Sequence, residues 1–222
     1  MKLFTNCVGR KILVAVSGQL MVIFVIAHLL GNSSIFIPGG INAYAGHIHA
    51  FPPLVWGVRI IMLTAALIHI CYGAQVTLEN RVAKPIRYAV NNQLKASFSS
   101  KNMIWSGVLI GIFIIFHLLH FTLRMTPDIA PRLATLSSGA GFDVYSMVVG
   151  SFQHGVTAVL YVAAMVILFL HMNHGIQAFF QTMGWSSDCT MPVINKSGKT
   201  LAVIFLLGYS SIPLFIFIRL LT

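Results

Sequence analysis

The stretch "IIFHLLHFTLR", residues 114–124, sets two histidines three apart inside a run apolar enough to sit in lipid. A near-echo, "LFLHMNHGIQAFF", residues 168–180, repeats that spacing. Ionisable side chains in hydrocarbon are costly and mark ion, proton or cofactor paths. Whether these runs are membrane spans therefore decides the fold. The 222 residues are 57% hydrophobic and 8% charged, where an average soluble domain is about 25% charged. The mean hydropathy is +0.86. A helix of about 20 apolar residues crosses the hydrocarbon core. Five segments qualify: Ile12–Leu30, Leu54–Leu78, Met103–Leu123, Met147–Phe180 and Leu201–Leu221. The expected fold is an all-α integral membrane protein, one transmembrane domain over residues 1–222. The fourth span exceeds the bilayer and is expected to tilt or protrude. The connections leave no room for a soluble domain, so soluble chemistry must come from partner chains. Ile12–Leu30 is too long for a signal-peptide core and no small-residue cleavage site follows it, so no cleavable signal is expected. Cys7, Cys71 and Cys189 form no C-x-x-C or C-x-x-C-H pattern and read as ordinary small residues.

The net charge of +10 reads as topology, not as nucleic-acid binding. Lys2, Arg10 and Lys11 precede the first span. Arg81, Lys84, Arg87, Lys95 and Lys101 lie between the second and third, and Lys196 and Lys199 between the fourth and fifth. Loop 31–53 carries no charge, and in loop 124–146 Arg124 and Arg132 are offset by Asp128 and Asp143. The positive-inside rule then puts the N-terminus in the cytoplasm and the C-terminus outside. The basic inner face suits an acidic soluble partner.

Six of the nine histidines fall inside spans: His28, His69, His117, His120, His171 and His174. His47 and His49 lie in the outer loop and His154 near the outer end of the fourth span. At 1.5 Å per residue, His28 and His117 stand about 23–26 Å above the cytoplasmic ends of their helices, and His69 and His171 about 15 Å. Two layers follow, about 8–11 Å apart. The outer one holds His28 with His117 or His120, the inner one His69 with His171 or His174. Single polar contacts between helices explain any one histidine; paired depths on four helices suggest two six-coordinate haems held by imidazoles from two helices each. A membrane di-iron site needs its H-x-x-H motifs to converge, whereas these pairs face opposite halves of the bilayer. Two ligands on one helix are disfavoured, because His154 and His171, 17 residues apart, point about 100° away from each other. Within each H-x-x-H pair one histidine would be the ligand and the other, one turn away on the same face, a pocket residue; spacing does not say which.

These residues resemble the single-subunit, di-haem cytochrome b anchor of succinate dehydrogenases and quinol:fumarate reductases, over nearly the whole chain. "VIFVIAHLLGN" (22–32), "AALIHICYG" (65–73) and "IIFHLLHFT" (114–122) are similar to the haem motifs of the family's first three helices. "ILFLHMNHGIQAFFQTMGW" (167–185) is the most specific match, with its histidine, the glycine four residues on and the Gly-Trp end. The resemblance implies a five-helix class, a four-helix bundle holding two haems b plus a fifth helix. It implies His69 and His171 as ligands of the inner haem, His28 and His117 of the outer, with His174 a neighbour. It also implies a flavoprotein (FAD) and an iron–sulfur subunit on the cytoplasmic face, menaquinone in a prokaryotic inner membrane, and no fumarate activity in this chain alone. Fumarate reduction by menaquinol is the favoured direction.

Haem-pocket and propionate candidates are Arg10, Lys11, Ser17, Gly18, Arg59, Arg81, His120 and His174. Ser17 matches a small polar position of the family's first helix. Arg59, in the outer third of its span, needs an anionic partner or must snorkel. Small residues at Gly18, Gly107, Gly111, Gly150 and Gly155 would let a haem edge or another helix approach. Quinone-site candidates are Asn32, Tyr44, His47, His49, His120, Arg124 and His154, with Asn42 beside them in the uncharged outer loop. The four carboxylates, Glu79, Asp128, Asp143 and Asp188, lie at helix ends or in loops. Phe169 stands where some relatives place an acid. The bilayer centre thus has no carboxylate for a proton path, so electron transfer is expected to be electrogenic or compensated elsewhere. The alternatives are a cytochrome b subunit of a hydrogenase or formate dehydrogenase, and a structural anchor or transporter without haem.

Overall fold

In the computed structural model of the chain, residues 6–83, 97–132, 137–138 and 141–219 are described. Lys2, Lys84, Arg87, Lys95 and the last residues of the fifth expected span lie outside them. Helix α1 (Cys7–Asn32) starts where the Asn6 side chain accepts from the Gly9 amide, and a 3-10 turn (Ser33–Phe36) follows it. Helix α2 (Gly40–His49) is short. Helix α3 (Pro52–Val82) begins on two prolines, whose missing N–H groups cost nothing in a first turn. Helix α4 (Phe98–Lys101) is a single turn. Helix α5 (Met103–His117) runs into a π turn, Leu118–Thr122. A 3-10 turn (Ala130–Arg132) and a two-residue antiparallel pair, β1 (Ser137–Ser138) with β2 (Gly141–Phe142), lead to α6 (Val144–Phe152). Helix α7 (Gly155–Thr182) and helix α8 (Met191–Phe217) complete the chain.

Five of these are long and apolar enough to cross a membrane: Cys7–Phe36, Pro52–Val82, Met103–Thr122, Gly155–Thr182 and Met191–Phe217. The protein is an all-α, multi-pass membrane protein. Large apolar side chains such as Val8, Ile60, Leu67, Ile112, Val156 and Leu207 point outward, and lipid is their solvent.

Helices α1, α3, α5 and α7 form a ring in that order, each touching the next and α7 closing on α1. Helix α8 packs along α7 outside the ring, Gly198 against Ile176 and Gly208 against Leu29. The Tyr209 hydroxyl donates to the Val25 carbonyl at 2.7 Å and ties α8 to α1. One apolar cluster, around Leu29, Met172, Ile176, Ala202 and Phe205, joins α1, α7 and α8. A second, around Ile35, Ile129, Phe152, Tyr161 and Ile216, closes the other end of the bundle.

Three sequence expectations change. The fourth span is not one helix over Met147–Phe180: the chain breaks at Gln153–His154, where His154 is extended (φ −80°, ψ 112°). Asp143 caps α6 as a helix of its own, accepting from the Ser146 amide. Outer loop 31–53 is largely helical, with α2 carrying Tyr44, His47 and His49. The first and fifth helices begin earlier than hydropathy suggested, at Cys7 and Met191, because capping and prolines rather than greasiness set helix ends.

Candidate functional site

The four helices of the ring bring histidines together across both diagonals. His28 of α1 faces His117 of α5, with ring centroids 6.0 Å apart at 88°. His69 of α3 faces His171 of α7, at 6.3 Å and 67°. The tiers are further apart than sequence depth indicated. Gly18 lies against His69, Gly107 against His171, and Tyr161 against His117. Gly18 to His28, Gly107 to His117 and Tyr161 to His171 are each ten residues along one helix, so the tiers stand about 15 Å apart, not 8–11 Å. Counting from presumed helix ends failed because those ends lie at different depths; contacts between helices set the true register.

The second ring nitrogen sorts ligands from pocket residues. His69 Nδ1 is 2.9 Å from the Val14 carbonyl, which can only accept, so Nδ1 carries the proton. The Ser17 hydroxyl, 3.5 Å away, already donates to the Leu13 carbonyl. His171 Nδ1 is 3.1 Å from Ser106 Oγ, whose proton goes to the Met103 carbonyl at 3.0 Å, so Nδ1 donates there too. Both imidazoles therefore present a bare Nε2, the arrangement that orients a metal-ligating histidine.

On the outer tier, His117 Nδ1 lies 3.3 Å from Tyr161 Oη. His120 is different: it is 1% exposed and both its nitrogens are engaged. Its Nδ1 is 2.8 Å from Tyr161 Oη, and its Nε2 is 2.9 Å from Asp128 Oδ2 and 3.2 Å from Ser151 Oγ. His120 has no nitrogen left for a metal, whereas His117 keeps Nε2. The π turn places it so: the Leu123 amide reaches back to the Leu118 carbonyl at 2.7 Å, and the extra residue rotates His120 inward. His174 pairs with none of these rings and is half-buried.

No protein-family model, curated protein or solved structure matches this chain.

The residues fit a haem on two observations. A metal–imidazole bond is about 2.0–2.1 Å, and a ring centre lies about 1.2 Å behind its nitrogen, so two rings facing one metal would sit about 6.4–6.6 Å apart. The His69–His171 pair, at 6.3 Å, is close to that spacing, and the His28–His117 pair, at 6.0 Å, is a few tenths of an ångström short of it. The bare glycine faces beside the rings are consistent: a Cβ on Gly18 would lie 2.9 Å from His69 Cε1, and one on Gly107 3.3 Å from His171 Cε1.

The remaining candidates scatter. Arg10 pairs with Glu79 at 3.0 Å through one terminal nitrogen and keeps a buried Nε without a partner, while Lys11 and Arg81 are exposed. Arg59 is exposed and lies over the Trp56 ring at 5.1 Å. Arg124, in the left-handed region at φ 58°, lies over the Phe142 ring at 3.5 Å. Burial first, and then the Arg59 charge, push its guanidinium pKa down.

The quinone candidates divide. His120 and His154 line a cleft of about 580 Å³ with Phe116, Thr126, Asp128 and Leu160. Asn32, Tyr44, His47, His49 and Arg124 are not among its lining residues. Asn32 Nδ2 is spent on the His28 carbonyl at 2.8 Å. The exposed His47 and His49 bond backbone carbonyls of their own helix, and the Tyr44 ring fills the space beside Gly31 where a Cβ would sit.

Sequence reading missed the role of Asp128. It treated this residue as a loop acid, yet Asp128 folds back onto buried His120, and Ser151 donates to it at 2.8 Å. Burial opposes its charge, but Thr126, His120 and Ser151 outweigh that and hold its pKa down to about 2. The signal in the sequence was a lone carboxylate eight residues after a membrane histidine, too weak to act on.

Proposed function

We propose that this chain is a two-haem electron carrier, the membrane anchor of a succinate dehydrogenase or quinol:fumarate reductase type complex. The observation that carries this reading is the pair of diagonal histidine couples, each spaced for one metal and standing one above the other. Haem b supplies one-electron transfer when bound. His69 and His171 hold the inner group and His28 and His117 the outer. Val14, Ser106 and Tyr161 hold the His69, His171 and His117 imidazoles in one tautomer, and Gly18 and Gly107 leave room beside the rings. The charge bias supports the basic end facing the cytoplasm, and the resemblance supports a prokaryotic inner membrane. There an iron–sulfur subunit and its flavoprotein would dock, and fumarate chemistry belongs to them. Menaquinone or menaquinol is assigned to the cleft beside His120, whose volume lies in the range of about 300–1,000 Å³ usual for small-molecule sites. Phe116 and Leu160 offer apolar walls, and Thr126, Asp128 and His154 polar groups.

The test is an oxidised and reduced absorbance spectrum of the purified protein, with haem counted. Two haems are expected. His28→Ala, His69→Ala, His117→Ala and His171→Ala each remove or severely perturb one, and His120→Ala keeps both. Colourless protein would return the chain to a structural anchor. Co-purification with a nickel or molybdenum enzyme would make it the cytochrome of another quinone-linked dehydrogenase.

A further inference from the structure

The outer tier has something the inner tier lacks. Behind His69 and His171 stand neutral groups, a carbonyl and serine hydroxyls. Behind His117 stands a chain ending in a carboxylate: Tyr161, His120, Asp128. Its protons can be followed link by link. Asp128 is ionised and can only accept, so the His120 proton sits on Nε2. In the tautomer whose proton is on Nε2 alone, His120 Nδ1, 2.8 Å from Tyr161 Oη, accepts from the Tyr161 hydroxyl. The Tyr161 oxygen then accepts from His117 Nδ1–H. All donors run one way, from His117 to Asp128, and His117 Nε2 is left bare.

We propose that Asp128, through His120 and Tyr161, is a positioning relay that strengthens His117 as a ligand and lowers the reduction potential of the outer centre. This rests on the haem reading above. Hydrogen bonds in such a chain polarise one another. A carboxylate behind a metal-bound histidine makes the ring more electron-donating, which favours the oxidised metal. None of the three residues touches the metal; each acts through His117. Ser151 competes for the same carboxylate oxygen, so it sets how much of the charge reaches His120.

The experiment is a redox titration of both haems in the purified full-length protein, as wild type, Asp128→Asn, Tyr161→Phe and the double variant. Asp128→Asn is expected to raise the reduced-to-oxidised ratio of the outer haem about tenfold at a given solution potential, about 59 mV for one electron. The inner haem serves as the control and stays put. In the Tyr161→Phe background the same change shifts the ratio less than about threefold, since the link is already cut. Ser151→Ala, which leaves more of the carboxylate for His120, moves the ratio the opposite way and needs no buried charge removed. Two haems present with an outer potential unmoved by Asp128→Asn and Ser151→Ala would overturn the relay and leave the haem reading standing. An equal Asp128→Asn shift in both Tyr161 backgrounds would overturn it too, the charge then acting through space. Absence of haem would remove both.

Discussion

Which of two histidines one turn apart is free to bind a metal is decided by the hydrogen bonds that their nitrogens already make. His120 is the more buried of its pair and looks the stronger site residue, yet Tyr161 and Asp128 consume both its nitrogens. His117, with one nitrogen engaged, keeps the other. The same cluster makes a stability prediction. Asp128 has a folded pKa of about 2 against an ordinary 3.8. A depressed carboxyl adds stability that is full above the ordinary value and lost as pH falls through the folded one. Thermal unfolding in detergent should therefore weaken between about pH 4 and pH 2, and Asp128→Asn should flatten that part of the profile. An unchanged slope would mean that the carboxylate is not held by His120 and Ser151. Gly18 gives a second residue-scale prediction. A Cβ there lies 2.9 Å from the His69 ring, which α3 and the Val14 carbonyl hold in place. Gly18→Val should displace His69 and, on the proposed two-haem reading, lose the inner haem. Gly107→Ala, at 3.3 Å from His171, needs only a few tenths of an ångström of give and should keep it. Equal haem retention in the two would contradict the close approach.

Elements end where local chemistry stops them, and two such endings shape the site. The π turn after α5 carries one extra residue, and the chain leaves it through Arg124 in a left-handed conformation rare for a side chain of that size. That sharp exit sends residues 126–131 back over the helix and brings Asp128 to His120. On the facing element, the break at His154 separates α6 from α7, so Ser151 and Tyr161 approach His120 from two helices rather than one. Asp143 organises that break from upstream. Its carboxylate accepts from the Ser146 amide at 3.1 Å, the Ser146 hydroxyl at 2.6 Å and Asn42 Nδ2 at 2.9 Å, capping α6 and fastening α2 to it. Asp143→Ala should cost about 0.5–2 kcal/mol, the usual worth of an N-cap, read as a lowered unfolding midpoint in detergent. Asp143→Asn should recover most of it. A variant as stable as wild type would show that α6 is held by its apolar contacts alone. The C-terminal end of α7 is a Schellman turn: Gly184 is at φ 72°, and the Trp185 amide bonds the Phe180 carbonyl at 2.9 Å. The Gly-Trp pair at the end of the fourth-span motif is thus a helix stop.

At the scale of the whole molecule, five helices are long and apolar enough to cross a membrane, and one crossing by each would put the start of α1 and the α7–α8 connection on one side. Cys7 and Cys189, both free and exposed, lie at those two places. The charge bias predicts that this side is cytoplasmic. A membrane-impermeant maleimide should label both in inverted vesicles and neither in intact cells, and labelling in intact cells would reverse the orientation. The sequence by itself determined the class of protein, the approximate spans, the charge bias between the two sides and the helices that carry histidines. Each of these is a property of one segment, averaged over about 20 residues, and needs no knowledge of its neighbours. Tertiary structure alone decided that the couples lie on the diagonals of the ring, that the tiers are about 15 Å apart, that His120 belongs to a hydrogen-bonded cluster, and that Asp128 joins it. Those depend on how each helix is rotated and shifted against the next. Packing, caps and turns between helices fix that rotation and shift, and no single hydropathic segment records it.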